Sequence, residues 1–457
     1  MKKSKVSPSL DNQPASSDRF SSSGFILTAI GSAVGLGNMW KFPYITGQYG
    51  GAAFFLLFIV CLLLVGLPVL IAEMTIGRSG RGNASSSFFL LSKSRTWGAF
   101  GFVSVFASFM IMTFYAVVAG WTMHYAALSF TDSLYADNMY KERFVSFTSG
   151  YVPLSWQAVV MIITGWVVGK GISGGIEKFN KVLIPGLVIL LLGLMIRSLT
   201  LPNAMAGVEF FLKPDFSKLS AESALVALGH AFFSLSLGMG IMITYGAYTH
   251  RSQSLKGATL AIGAGDLIYA FIAGLIIFPT SFAFGIEPSQ GPGLVFMALP
   301  AAFAAMPFGQ LFGGLFFVLL AIAALTSAVS ILEVPVAYAM GKWNWSRIKA
   351  ATLVSAACFV LGVPSALSAG AILGGFTIAG KPIMDLIEYV ASNVLLPFGG
   401  LVVTLFAGYV WTKSAKEAGL DGFGHKLLMF MLRYVSPLLT LLVLLYTAGL
   451  FDRFFNK

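Results

Sequence analysis

Residues 31–38 read Gly31-Ser32-Ala33-Val34-Gly35-Leu36-Gly37-Asn38. Gly and Asn are poor helix formers, yet apolar turns flank the run on both sides. A second run of this kind, Phe233-Ser234-Leu235-Ser236-Leu237-Gly238-Met239-Gly240, lies in the second half of the chain. Read singly, each suits a close-packing surface of the small-xxx-small type as well as a break in a helix. Their matched placement favours the break, because each stands in the first of five consecutive apolar stretches. Gly-interrupted hydrophobic segments at corresponding positions in two halves are the sequence pointer to a site at the bilayer midplane. Unwound backbone there presents carbonyls to a cation and half-helix N-termini to an anionic group.

The composition around these runs is that of a membrane protein. Of 457 residues, 57% are hydrophobic and only 10% charged, against about 25% charged in soluble domains. That excludes a soluble globular domain and a disordered chain. Fifty Gly and 41 Phe fit tightly packed membrane helices. The net charge of +11 belongs with basic cytoplasmic loops and not with a nucleic-acid partner. Cys61 and Cys358 sit in apolar runs with no metal or disulfide spacing. Met1 to Ser23 is polar and has no signal-peptide core.

Apolar runs predict an all-α integral membrane protein of eleven transmembrane helices, near 24–46, 52–76, 98–128, 153–169, 182–198, 222–249, 257–284, 309–340, 348–364, 382–411 and 427–450. The two matched breaks make spans 1–5 (about 24–198) and 6–10 (about 222–411) a 5+5 inverted repeat with broken helices 1 and 6, followed by an extra helix at about 427–450. This gives one transporter domain, 24–451, between short tails at 1–23 and 452–457. With the N-terminus inside, 19 of the 29 Lys and Arg fall in cytoplasmic segments and eight outside, while Lys41 and Arg433 fall within helices. That asymmetry predicts a cytoplasmic N-terminus and an outside C-terminus, in the plasma membrane. The longest outer loops, near 129–152 and 199–221, are too short to fold alone, so function resides in the bundle.

Three acids lie in helix interiors: Glu73, Asp266 and Glu333. A bare charge there costs at least ~3 kcal/mol. Glu73 and Glu333 read equally as caps for broken backbone and as functional groups. Asp266 follows Gly263-Ala264-Gly265 with no basic residue in its own helix, and asks for a cation or a proton. The eighth span carries Ala323-Ala324-Leu325-Thr326-Ser327-Ala328. Such hydroxyls usually bond back to their own helix, but as hard oxygens they also suit Na⁺.

The run GSAVGLGNMWKFP, from Gly31 to Pro43, with Gly50-Gly51-Ala52-Ala53-Phe54, resembles the signature of the neurotransmitter:sodium symporter family. SLSLGMGIMITYGAY in span 6 and ALTSAVSILEVP in span 8 match it in the right order. The resemblance runs from Gly24 to about Thr447, and the length is like that of the short bacterial amino-acid members. It implies alternating access, two sodium ions and a substrate pocket between them. Sodium site one then corresponds to Ala33, Asn38, Ser234 and Asp266 with the substrate carboxylate, and site two to Gly31, Val34, Ala323, Thr326 and Ser327. The pocket corresponds to Ala33, Leu36, Gly37, Ile111, Tyr115, Phe233, Ser236, Met239, Ser327 and Ile331. Tyr115 bonds the carboxylate, Phe233 closes the pocket from outside, and Glu73 supports the unwound backbone from behind. Monoamine members carry Asp where this chain has Gly35, so a substrate with its own carboxylate, a hydrophobic L-amino acid, is expected.

The chain departs from the family pattern at both gates. Lys41 stands in the place of the outer-gate Arg, with Asp385 or Glu388 as its acid; Lys lacks the bidentate fork. The family's inner gate pairs an Arg, three residues before a Trp, with an acid at the end of span 8; here the tail reads Asp18-Arg19-Phe20, with Phe20 in place of the Trp, and span 8 ends in Gly341-Lys342, so the inner ion pair is not expected in the family's form. Gly175 and Pro185 match an element associated in the family with unwinding on inward opening, and are equally ordinary helix-boundary residues. Phe58 and Ala270 replace the Tyr and Ser that hold chloride in animal members, and a fixed carboxylate at Asp266 supplies the negative charge in its stead. The expectation is a chloride-independent sodium symporter. The alternatives on the same bundle are an ion channel, a non-transporting sensor and a membrane enzyme. No filter sequence, signalling domain or HExxH spacing supports them. No motif encodes an oligomeric state.

Overall fold

The computed structural model describes residues 18–135, 137, 139–286 and 294–450. Most of the N-terminal tail, and with it Lys2, Lys3 and Lys5, lies outside the described residues, as does the C-terminal tail with Arg453 and Lys457.

Among the described residues nine helices are long and apolar enough to cross a bilayer: Ala52–Gly80, Arg95–Leu128, Val152–Gly169, Ile172–Leu199, Leu255–Ala283, Gly309–Trp343, Arg347–Ser368, Ile383–Val410 and Gly422–Thr447. The stretches 24–46 and 222–249, expected as single spans, are each two short helices. The first is Ser22–Ala33, a break at 34–35, a π turn Gly37–Lys41, and Phe42–Gln48. The second is Ala221–Ser234, a non-helical stretch at 235–240, and Ile241–Ala247. Neither half is long enough to span the hydrocarbon alone.

Two other boundaries differ from the sequence reading. The fifth helix begins at Ile172 and not near 182. The Lys178 and Lys181 that end the apolar run lie on its solvated side, where Lys181 pairs with Glu177 at 2.5 Å. The connections between spans also carry structure, with helices at Tyr140–Ser149, Ala204–Leu212 and Val295–Ala305. The only strands among the described residues form a two-residue hairpin, Thr377–Ile378 against Lys381–Pro382.

Helices Arg95–Leu128 and Gly309–Trp343 are the most enclosed of the nine and flank the broken pair. Glycine sets one of the close backbone contacts in the core. A Cβ on Gly246 would sit 2.4 Å from the Met74 carbonyl, and one on Gly77 only 1.8 Å from that of Ile243. The second span and the inner half of the sixth therefore meet backbone to backbone, as small residues allow in membranes. That contact aims Glu73, fully buried, at the break in the sixth span.

Candidate functional site

The two breaks face each other. Helix Ser22–Ala33 stops because Val34 turns to φ −80, ψ 70, and the Gly35 N–H folds back to the Ala33 carbonyl at 2.9 Å. In the sixth span three left-handed residues follow one another at alternate positions: Ser236 (φ 56), Gly238 (φ 79) and Gly240 (φ 77). Only glycine adopts this conformation without strain, so the sequence Ser-Leu-Gly-Met-Gly dictates an unwound stretch there. Glu73 Oε1 accepts the freed Gly238 N–H at 2.7 Å.

Between the breaks lies a small cavity of about 20 Å³. All ten residues expected to line a substrate pocket border it, joined by Ser32, Gly35 and Ser234. Its walls divide by chemistry. Ile111, Phe233, Met239 and Ile331 make an apolar end, while Ser32, Ser234, Ser236, Ser327 and the turn at Gly35–Gly37 make a polar one. Gly35 is sterically fixed as well: a Cβ there would lie 2.5 Å from Ser327 Oγ and 3.4 Å from the Tyr115 hydroxyl.

Next to the polar end, three hard oxygens converge. Asn38 Nδ2 donates to Asp266 Oδ1 at 2.7 Å. Ser234 Oγ lies 2.7 Å from Asn38 Oδ1 and 2.5 Å from Asp266 Oδ1. A hydroxyl has one proton, so Ser234 satisfies only one of these oxygens at a time. Asp266 is fully buried, and its Oδ2 has no hydrogen-bond partner. One carboxylate surrounded by amide and hydroxyl oxygens is a donor set for a hard monovalent cation. Ala33, expected in the same set, borders the adjoining cavity.

Of the second oxygen set, the structure brings Ser327 to the first span, its Oγ 3.1 Å from the Ser32 carbonyl and 3.4 Å from that of Gly31. Thr326 Oγ1 instead bonds back to Ala323 in its own helix at 3.1 Å, the ordinary behaviour of a helical hydroxyl. Val34 contributes the helix break itself. Among the described residues no three His, Cys, Asp or Glu side chains gather to hold a metal ion, so both sets are built of neutral oxygens and at most one acid.

The cavity is closed on both sides. Phe233 covers it, and Lys41 Nζ lies 5.4 Å from the Phe233 ring centroid and 3.3 Å from Glu388 Oε1. Glu388 is thus the partner of Lys41; Asp385, the other acid expected for this gate, makes no ion pair with it. On the opposite side the sequence reading missed the arrangement. Arg347 sits between Glu333 Oε2 (2.8 Å) and Asp18 Oδ2 (3.4 Å), and the Tyr248 hydroxyl donates to Glu333 Oε1 at 2.9 Å. Phe20 packs edge-on to Tyr245, ring centroids 5.2 Å apart, and beside Tyr248. The signal was present: an acid inside span 8 requires a cation, and Arg347 is the first Arg after it.

With this geometry in place, comparison with known proteins is informative. The model of the sodium:neurotransmitter symporter family matches residues 18–146 and 137–453. An uncharacterized sodium-dependent transporter of Bacillus subtilis (strain 168), YhdH, is 38% identical over 437 residues, covering 93% of this chain and 96% of its own. An uncharacterized sodium-dependent transporter of Haemophilus influenzae is 35% identical over 443 residues, with the same coverage of 93% and 96%. The crystal structure of MhsT in complex with L-phenylalanine superposes with a TM-score of 0.88 at 44% identity, over 94% of this chain and 99% of that one. Broken spans, convergent oxygens and near-complete similarity agree: the chain belongs to the sodium:neurotransmitter symporter family, and is a sodium-dependent membrane symporter and not an enzyme.

Proposed function

We propose that this symporter takes up apolar and aromatic L-amino acids with two sodium ions, by alternating access and without chloride. The observation that carries the reading is the divided cavity. Its apolar end suits a hydrophobic side chain, with Met239 able to repack around different shapes. Its polar end lacks an acid at Gly35 and lies beside Asp266 and Asn38, so the substrate brings its own carboxylate to the cation. In this reading Ala33, Asn38, Ser234 and Asp266 hold the first sodium. Gly31, Val34, Ala323, Thr326 and Ser327 hold the second. Tyr115 donates to the carboxylate, Phe233 is the outer lid, and Glu73 steadies the unwound sixth span. MhsT, similar along the whole chain, holds L-phenylalanine.

The nine long helices and the two broken ones together make the proposed eleven spans. Repeats at about 24–198 and 222–411 are followed by the helix at 427–450, all within one domain, 24–451. The N-terminus faces the cytoplasm, the C-terminus the outside, and the membrane is the plasma membrane. A cavity closed at both ends supports a carrier over a channel. Phe58, packed against Phe42 and His230 at centroid distances of 5.5 and 5.2 Å, offers no hydroxyl to an anion, and Ala270 offers none either. Asp266 supplies the compensating charge.

The test is uptake of labelled phenylalanine into proteoliposomes with and without an inward sodium gradient. Uptake requires the gradient, and unlabelled Leu and Trp compete while dopamine and serotonin do not. Sodium-indifferent uptake, or competition by the amines alone, overturns the reading.

The outer gate carries its own prediction. The Lys41–Glu388 contact is partly exposed, with 21% and 28% of the side chains accessible, and such pairs contribute about 0–1 kcal/mol. Lys41→Ala therefore changes equilibrium binding of the amino acid by less than about fivefold, while slowing transport by more. Equal loss in the two measurements places Lys41 in the pocket and not at its lid.

A further inference from the structure

Arg433 belongs to the last span, level with the end of the preceding one; nothing in the transport reading uses it. It lies in a π turn, Met431–Val435, that interrupts the helix Gly422–Thr447. A second π turn, Phe406–Val410, ends the preceding span. The two are tied together. Arg433 Nε donates to the Gly408 carbonyl at 2.8 Å, and the Tyr409 hydroxyl donates to the Arg433 carbonyl at 2.7 Å. Gly408 makes room for this: a Cβ there would lie 3.2 Å from Arg433 Cγ and 2.9 Å from the Leu432 carbonyl. The guanidinium is thereby held at its Nε, with its four terminal N–H donors left over. π turns of this kind inside helices recur at functional sites.

Those donors face a pocket bordered by Thr412, His425, Lys426, Phe430, Arg433 and Tyr434. No acid borders it. Among the described residues neither Arg433 nor Lys426 has a carboxylate within ion-pair distance, and the nearby Glu417 is taken by Arg78 at 2.8 Å. Lys413 and Lys416 add to the positive charge at this end of the bundle. Below the pocket, Phe430, Tyr434, Leu438 and Leu441 are all exposed, between 42% and 59%. They recur at helical spacing and so form one apolar stripe running away from the charges. Cationic donors at the membrane surface with an apolar stripe beneath are the two halves of a phospholipid site, and basic pockets between membrane helices take anionic headgroups.

We propose that this pocket binds one anionic phospholipid, its phosphate held by Arg433 and Lys426 and an acyl chain lying along Phe430–Leu441. The guanidinium grips two phosphate oxygens at once, which Lys alone does not do. The occupant is a lipid and not free phosphate, because the charges continue into the apolar stripe.

The full-length protein is reconstituted into phosphatidylcholine nanodiscs doped with a minor fraction of phosphatidylglycerol, and lipids retained after release into detergent are counted by native mass spectrometry. Wild type keeps one phosphatidylglycerol in preference to phosphatidylcholine. Arg433→Gln with Lys426→Gln lowers that occupancy by at least about tenfold, the loss of two charge-assisted bonds. Lys256→Gln, elsewhere on the protein, leaves it unchanged. Lys426→Gln alone changes only an exposed side chain and lowers the occupancy severalfold even if the double variant fails to fold. Equal retention by wild type and Lys426→Gln overturns the proposal. Displacement of the phosphatidylglycerol by millimolar inorganic phosphate overturns it too, since it assigns the pocket to a free anion.

Discussion

Asp266→Asn lowers the sodium affinity of substrate binding by about thirtyfold. At an effective dielectric of about 20, a full negative charge about 4 Å from a cation contributes about 4 kcal/mol. The amide that replaces it keeps an oxygen dipole, and about 2 kcal/mol of loss corresponds to roughly thirtyfold in affinity. The geometry isolates the charge effect, because the substitution is isosteric and Asn38 and Ser234 still find an oxygen at the Oδ1 position. The measurement is phenylalanine binding in detergent as a function of sodium, at constant ionic strength. In parallel, wild-type uptake is unaffected by replacing chloride with gluconate, because the fixed carboxylate already provides the compensating charge. Unchanged sodium affinity in the variant removes Asp266 from the site, and loss of uptake in gluconate removes its compensating role.

Gly238→Ala destabilises the protein by about 2–5 kcal/mol and abolishes substrate binding. The residue is left-handed at φ 79, which costs a side-chain-bearing residue about 1–2 kcal/mol. Its new methyl group would stand 2.1 Å from the Leu396 carbonyl, a backbone atom that has to move, at a further cost of about 1–3 kcal/mol. Movement there also disturbs the Gly238 N–H bond to Glu73. Gly285→Ala is the control: it is left-handed too, at φ 65, but a Cβ there meets nothing within 4 Å. Only the conformational term applies, about 1–2 kcal/mol. Thermal unfolding of the two variants and phenylalanine binding read the difference. Equal destabilisation shows that the Leu396 contact is soft and that the unwound stretch tolerates displacement.

The breaks in the first and sixth spans were legible because Gly at alternate positions in an apolar run contradicts a helix. The cavity lining followed from their placement together with the family resemblance. Four features were not legible, each for a physical reason. Asp385 and Glu388 are three residues apart, so they share one face of the helix Ile383–Glu388, and only the distances distinguish them as partners of Lys41. Thr326 and Ser327 are adjacent and chemically alike, but point in different directions from the helix. One bonds back to its own helix and the other crosses to the first span. The inner closure pairs Asp18 with Arg347, residues from a tail and from the start of a later helix, and no periodicity connects them. The fifth span reads short because Lys178 and Lys181 interrupt the apolar run while the helix continues on its buried face through Asn180 and Ile184.

The crossing of Ser327 to the first span has a consequence in time. Its two carbonyl partners, Gly31 and Ser32, precede it by 296 and 295 residues, and Asn38 waits 228 residues for Asp266. At roughly 5–20 residues per second of synthesis, the earliest span exists for about 15–60 s before its permanent partners have been made. Throughout that interval its unwound carbonyls and the Asn38 amide are unpaired in a nascent chain, where each unsatisfied polar group costs several kcal/mol in hydrocarbon. The segment proposed to hold the ions is therefore poorly able to settle in lipid when first made. Its biogenesis requires a wet or protein-lined waiting place until the eighth span arrives.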